Sequence, residues 1–96
     1  MKNIEFIRAR LSHSEQLAGL AEEATELAHA ALKLRRAYDG SNPTPVTEEE
    51  AIKNLLEEIG DILLYLSVMG FPVSPKSYKK DMEAKLERWV RRLKGA

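Results

Sequence analysis

Leu17, Leu20, Ala24, Leu27, Ala31, Leu34 and Tyr38 recur at alternating steps of three and four. Only an α-helix gathers residues at that spacing onto one stripe, whereas a strand would scatter them over both faces. The punctuation around the run agrees. Ser12 followed by Glu15 is a capping-box pattern, in which the serine hydroxyl accepts from the Glu15 amide and the glutamate reaches back to the Ser12 amide. Gly40 offers a left-handed stop.

A second run follows the same logic. Ile52, Leu55, Leu56, Ile59, Ile62, Leu63, Leu66 and Met69 form an apolar face between a Thr47 and Glu50 capping box and Gly70. Glu48, Glu49 and Glu50 sit in its first turn, where the positive end of the helix dipole favours carboxylates, so they are read as capping groups. Ser74 as N-cap with Pro75 at the first helical position predicts a third helix to about Leu93, burying Tyr78, Met82, Leu86, Trp89 and Leu93. Ile4, Ile7 and Leu11 predict a short N-terminal helix. Between the two long runs, Gly40-Ser41-Asn42-Pro43-Thr44-Pro45-Val46 is predicted as the main loop, because two prolines remove amide donors.

The expected fold is therefore all-α: about three long helices plus a short N-terminal one, in a single domain over residues 1–96. A chain of 96 residues has a limited core. Leu64, Tyr65 and Val68 fall outside the main stripe of the second long helix and make it apolar on more than one face. Completion of the bundle by a second copy, as a homodimer or homotetramer, is the expectation.

Composition removes several alternatives. Fifteen basic residues balance fifteen acidic ones, which leaves no positive excess for general binding to nucleic acid or a membrane surface. Cysteine is absent, so any metal must be held by oxygen or imidazole. No run approaches a membrane span or a signal-peptide core, and a cytoplasmic location is expected.

The acids set within the apolar helices carry the functional signal. Glu23 and Glu26 lie on one flank of the first stripe, roughly 60° and 120° from its centre, and Glu58 and Asp61 lie on the same-handed flank of theirs. Each pair is three residues apart, so two antiparallel helices would bring four carboxylates together for one hard cation, Mg²⁺ or Mn²⁺. Acids at this spacing are common on solvated helix faces, but four of them without counter-charges would repel, and a cation would relieve that. Gly60 inside the second long helix costs about 1 kcal/mol relative to alanine, which suggests close approach of a neighbour.

Glu22-Glu23-Ala24-Thr25-Glu26-Leu27 followed by Glu57-Glu58-Ile59-Gly60-Asp61-Ile62-Leu63 resembles the paired signature of the MazG-like, all-α nucleoside triphosphate pyrophosphohydrolases. The resemblance spans about Gln16 to Arg92, and the longer segment between the motifs is similar to small stand-alone phage or bacterial members. It implies that Glu23, Glu26, Glu58 and Asp61 bind Mg²⁺ and that cleavage falls between the α- and β-phosphates. Hydrolysis would then give a monophosphate and pyrophosphate, in a house-cleaning role for the nucleotide pool.

Such chemistry also has a physical basis in the residues. A carboxylate-held cation neutralises a triphosphate and lowers the pKa of a bound water. Eight basic and three acidic residues lie between Lys76 and Lys94, so the last helix is expected to face the carboxylates and the bound anion. Lys33, Lys79, Lys80, Lys85 and Arg88 are the candidate phosphate contacts, and Asn54, four residues before Glu58, is a candidate substrate contact or ligand-orienting group. Glu22 and Glu57, turned about 100° from the ligands, are read as exposed or salt-bridged neighbours, with a base or ligand-orienting role as the alternative. His13 and His29 lack a partner at metal-ligand spacing and are read as surface or interface imidazoles. A non-enzymatic helical oligomerisation or partner-binding module is the alternative.

Overall fold

A computed structural model describes residues 2–40 and 46–95. Ser41 to Pro45 of the expected main loop lie outside the described residues. Four α-helices make up the described chain: α1 (Lys2–Arg10), α2 (His13–Asp39), α3 (Glu48–Met69) and α4 (Lys79–Leu93), the last entered through a 3-10 turn at Pro75–Tyr78. No strand occurs among the described residues, and the all-α expectation holds. No described helix is long and apolar enough to cross a membrane.

The helix ends follow the sequence closely at α2. Ser12 Oγ accepts from the Glu15 amide at 3.1 Å, and Glu15 Oε1 accepts from the Ser12 amide at 3.0 Å. At Thr47 only the hydroxyl half of the expected box forms, with the Glu50 amide donating to Oγ1 at 3.1 Å. Gly40 and Gly70 both take the left-handed conformation that ends a helix, with φ of 64° and 81°. Ser74 makes no side-chain cap, and Pro75 opens the 3-10 turn instead of α4 itself.

Packing is dominated by the α2–α3 hairpin, with α1 laid against α3. Its inward residues on α2 are Gln16, Leu20, Glu23, Leu27, Ala30, Leu34 and Ala37. This seam is displaced from the predicted stripe: Leu20, Leu27 and Leu34 face α3, while Leu17, Ala24, Ala31 and Tyr38 are exposed. On α3 the inward set includes Ala51, Leu55, Glu58, Ile62, Tyr65 and Met69, while Ile52, Leu56, Ile59 and Leu63 are exposed. The hairpin is therefore rotated toward its acids, and one glutamate from each helix lies in the seam rather than on its flank.

Two local contacts fix the arrangement. Gly19 lets Tyr65 cross α2 closely, since a Cβ there would overlap the Tyr65 ring and hydroxyl. Gly60, the position expected to admit a neighbour, has nothing within 4 Å of an added Cβ. Arg8 of α1 donates from Nε to the Val68 carbonyl at 2.7 Å and from its terminal nitrogen to the Ser67 carbonyl at 3.0 Å. A guanidinium thereby satisfies the carbonyl end of α3 and opposes its negative dipole. Gln16 is fully buried, and its side-chain amide donates to the Leu11 carbonyl at 2.9 Å, so this polar group is not orphaned.

The expectation for the last helix needs correction. α4 contacts only the 3-10 turn before it, and Met82, Leu86, Trp89 and Leu93 remain 49%, 54%, 55% and 78% exposed. Tyr78 is also exposed, and its hydroxyl donates to the Pro72 carbonyl within the connecting segment. Within one chain α4 does not cover the hairpin, because Phe71-Pro72-Val73 and the 3-10 turn carry it away.

Candidate metal centre

Residue numbers rise along α2 as they fall along α3: Gly19 meets Tyr65, and Ala30 and Lys33 share a cavity with Asn54. The hairpin is thus antiparallel, and its midpoint brings the two acidic motifs together. Glu23, Glu26 and Glu58 each place a carboxylate oxygen within 4.8 Å of the others. Asp61, the fourth expected ligand, lies outside that group and is partly buried one turn along α3.

The three carboxylates do not share one environment. Glu26 is exposed, whereas Glu23 and Glu58 each bury their Oε2 atom with no hydrogen-bond partner. Burial pushes the Glu23 carboxyl above its ordinary value, and the charges of Glu26, Asp61 and Glu58 push it further. Glu58 is raised for the same first reason, with Glu26 and Asp61 next and the exposed neighbour Glu57 adding to them. Asp61 therefore acts on both buried glutamates through its charge. Two orphaned carboxylate oxygens amid acidic neighbours are a costly arrangement for a bare protein, and a divalent cation is the species that would satisfy both. The donor set is all oxygen, which fits a hard ion such as Mg²⁺ or Mn²⁺.

Beside the carboxylates is an open cavity of about 230 Å³ lined by Glu26, His29, Ala30, Lys33, Asn54 and Glu58. Lys33 and Asn54, both predicted substrate contacts, are partly buried there. Lys85 and Arg88 are exposed on α4, which makes no contact with the hairpin, so a single chain does not bring them to the site. His29, expected as a surface or interface imidazole, is exposed and also lines this cavity, on the face of α2 where Glu26, His29 and Lys33 step by three and four.

The MazG nucleotide pyrophosphohydrolase domain matches residues 11–93, a stretch that holds both acidic motifs, the cavity and α4. No curated protein and no solved structure matches the chain. An all-α hairpin with its acids in the seam, matched over most of its length by that domain, belongs to the MazG nucleotide pyrophosphohydrolase family.

Proposed function

We propose that the protein is a Mg²⁺-dependent nucleoside triphosphate pyrophosphohydrolase, with Mn²⁺ as an alternative ion, acting as a single domain over residues 1–96. The observation that carries the reading is the pair of buried, unpartnered Oε2 atoms of Glu23 and Glu58. Glu23, Glu26, Glu58 and Asp61 would hold the ion. When bound, such a cation supplies charge neutralisation for the phosphates and acidification of the attacking water. The residues of the chain do the rest: the seam fixes the carboxylates on two rigid helices, and the cavity beside them receives the polyphosphate. Lys33 contributes a cation to the phosphates, and Asn54 an amide to the substrate.

Water attacks the α-phosphorus, the bond to the bridging oxygen breaks, and pyrophosphate leaves. The chain has no cysteine nucleophile and no phosphate loop of the G-x-x-x-x-G-K type. Deoxynucleoside triphosphates or their damaged analogues are the proposed substrates, in a cytoplasmic house-cleaning role.

Assembly belongs to the same proposal. The chain exposes 7808 Å², against about 5,600 Å² for a compact monomer of its mass. Its radius of gyration is 17.0 Å, against about 13 Å for a compact domain of this size. A homodimer or homotetramer would cover the exposed stripes of α3 and α4, and α4 of another subunit would be the source of Lys85 and Arg88. The alternative, a helical oligomerisation module without enzymatic activity, accounts for the stripes but not for the orphaned carboxylates. Hydrolysis of a triphosphate in ¹⁸O-labelled water separates the readings: label is expected in the monophosphate. Label in the pyrophosphate would place attack at the β-phosphorus, and no Mg²⁺-dependent turnover across a nucleotide panel would favour the module.

A further inference from the structure

The cavity beside the carboxylates has two chemically different ends. Glu26 and Glu58 form one, and the lining continues along α2 to His29 and Lys33, opposite Asn54. From Glu26 to Lys33 the helix rises by about 10 Å, enough for successive phosphates to lie along it. His29 lies three residues after Glu26 and four before Lys33, so its imidazole shares the face that carries both. It is exposed and does not join the group of three carboxylates that approach within 4.8 Å. Its place is thus between Glu26 and Lys33 on that face, outside the carboxylate group and on the side of it toward Lys33. Pyrophosphate leaves with more negative charge than one ammonium balances, and among the described residues Lys33 is the sole lysine or arginine that lines this cavity.

We propose that His29 is a phosphate-binding residue of this site: beside Lys33 in the cavity, its imidazole N–H donates to the terminal phosphate of the substrate, the end that departs in pyrophosphate. The assignment rests on the pyrophosphohydrolase reading and adds a direction to it, with the nucleoside-bearing α-phosphate at the acidic end and the leaving group toward His29.

Inorganic pyrophosphate is the probe, titrated into the full chain with Mg²⁺ by calorimetry, with a nucleoside monophosphate titrated in parallel. His29 is exposed, so His29→Ala should fold as the parent does, and helicity by circular dichroism checks this. His29→Ala is expected to weaken pyrophosphate about tenfold while moving the monophosphate by less than about twofold, the loss of one hydrogen bond to a charged group. His29→Gln, which keeps an N–H donor, should recover most of the affinity. Unchanged pyrophosphate binding in His29→Ala, an equal loss for the monophosphate, or a parent that binds no pyrophosphate would each overturn the assignment. Failure of the underlying reading looks different: the parent would bind pyrophosphate in a His29-dependent manner yet release none from any triphosphate.

Discussion

Glu23 and Glu58, on neighbouring helices, each turn one carboxylate oxygen into the α2–α3 seam, where it is shut off from solvent and has no hydrogen-bond partner. Both carboxyls are raised above the ordinary value of 4.5, first by burial and then by the surrounding acids. A raised folded-state pKa means that the fold favours the protonated form. Stability from these groups is therefore full below 4.5 and is lost as pH rises through the raised values. Glu15 has the opposite sign, since the Ser12 amide and then its hydroxyl hold its carboxyl low, so its contribution is present above 4.5 and fades on acidification. Glu15 is common to parent and Glu58→Gln and cancels between them. In chelator, Glu58→Gln should be more stable than the parent at neutrality, with the difference shrinking toward pH 4.5. Denaturant titrations at several pH values check this, and parallel stability profiles would contradict it.

Metal should reverse that order. A cation that satisfies the two orphaned oxygens binds the folded state alone and stabilises it by mass action. Mg²⁺ or Mn²⁺ is expected to raise the melting temperature of the parent and to leave Glu23→Gln and Glu58→Gln nearly unmoved. Both variants keep the shape of the side chain, so helicity should persist while hydrolysis falls by about a hundredfold or more. Melting curves with and without metal, run beside the activity assay, decide the matter; metal-induced shifts equal to the parent's would place the ion elsewhere.

The helices were legible because their signals are local. The Ser12 box and the glycines at positions 40 and 70 act within a few residues and appear where expected, and periodicity marks α2 and α3 as helices though not the face they bury. Both acidic motifs were also legible, as was their meeting across an antiparallel pair. Their depth was not. Leu17, Ala24, Ala31 and Tyr38 belong to the same alternating repeat as Leu20, Leu27 and Leu34, so a wheel weighted by hydrophobicity centres the stripe between two faces. The real seam turns toward Glu23 and Glu58, a choice that pattern alone disfavours because it buries carboxylate. Arg8 left no trace for a similar reason: its partners are backbone carbonyls sixty residues away, and carbonyls carry no sequence signal. The direction of α4 depends on the short Phe71-Pro72-Val73 connection and on what covers the helix, and periodicity reports neither.

Trp89 gives the exposed stripe of α4 a direct readout. It is the one tryptophan in the chain, and 55% of it is exposed on a helix that contacts no other α-helix of the chain. In a homo-oligomer that covers α4, its emission should be blue-shifted at micromolar protein and move to the red on dilution, in step with the mass from light scattering. Leu86→Asp, which places a charge in the same stripe, should shift the assembly toward monomer. A monomer by scattering with red-shifted Trp89 emission at every concentration would remove the oligomer from the proposal.

Two glycines in helices should respond to alanine in opposite directions. At Gly19 the new methyl would overlap the Tyr65 ring and hydroxyl across the seam. Tyr65 is partly buried between the helices and cannot swing away without opening that packing, so Gly19→Ala is expected to cost about 1–3 kcal/mol. At Gly60 the methyl meets nothing within 4 Å, the residue is exposed, and the backbone is helical. There the gain in helix propensity should stabilise the chain by about 1 kcal/mol. Chemical denaturation of the two variants beside the parent tests the pair. A stabilised Gly19→Ala would mean that Tyr65 does not cross α2 at that point, and a destabilised Gly60→Ala would mean that another subunit closes on α3 there.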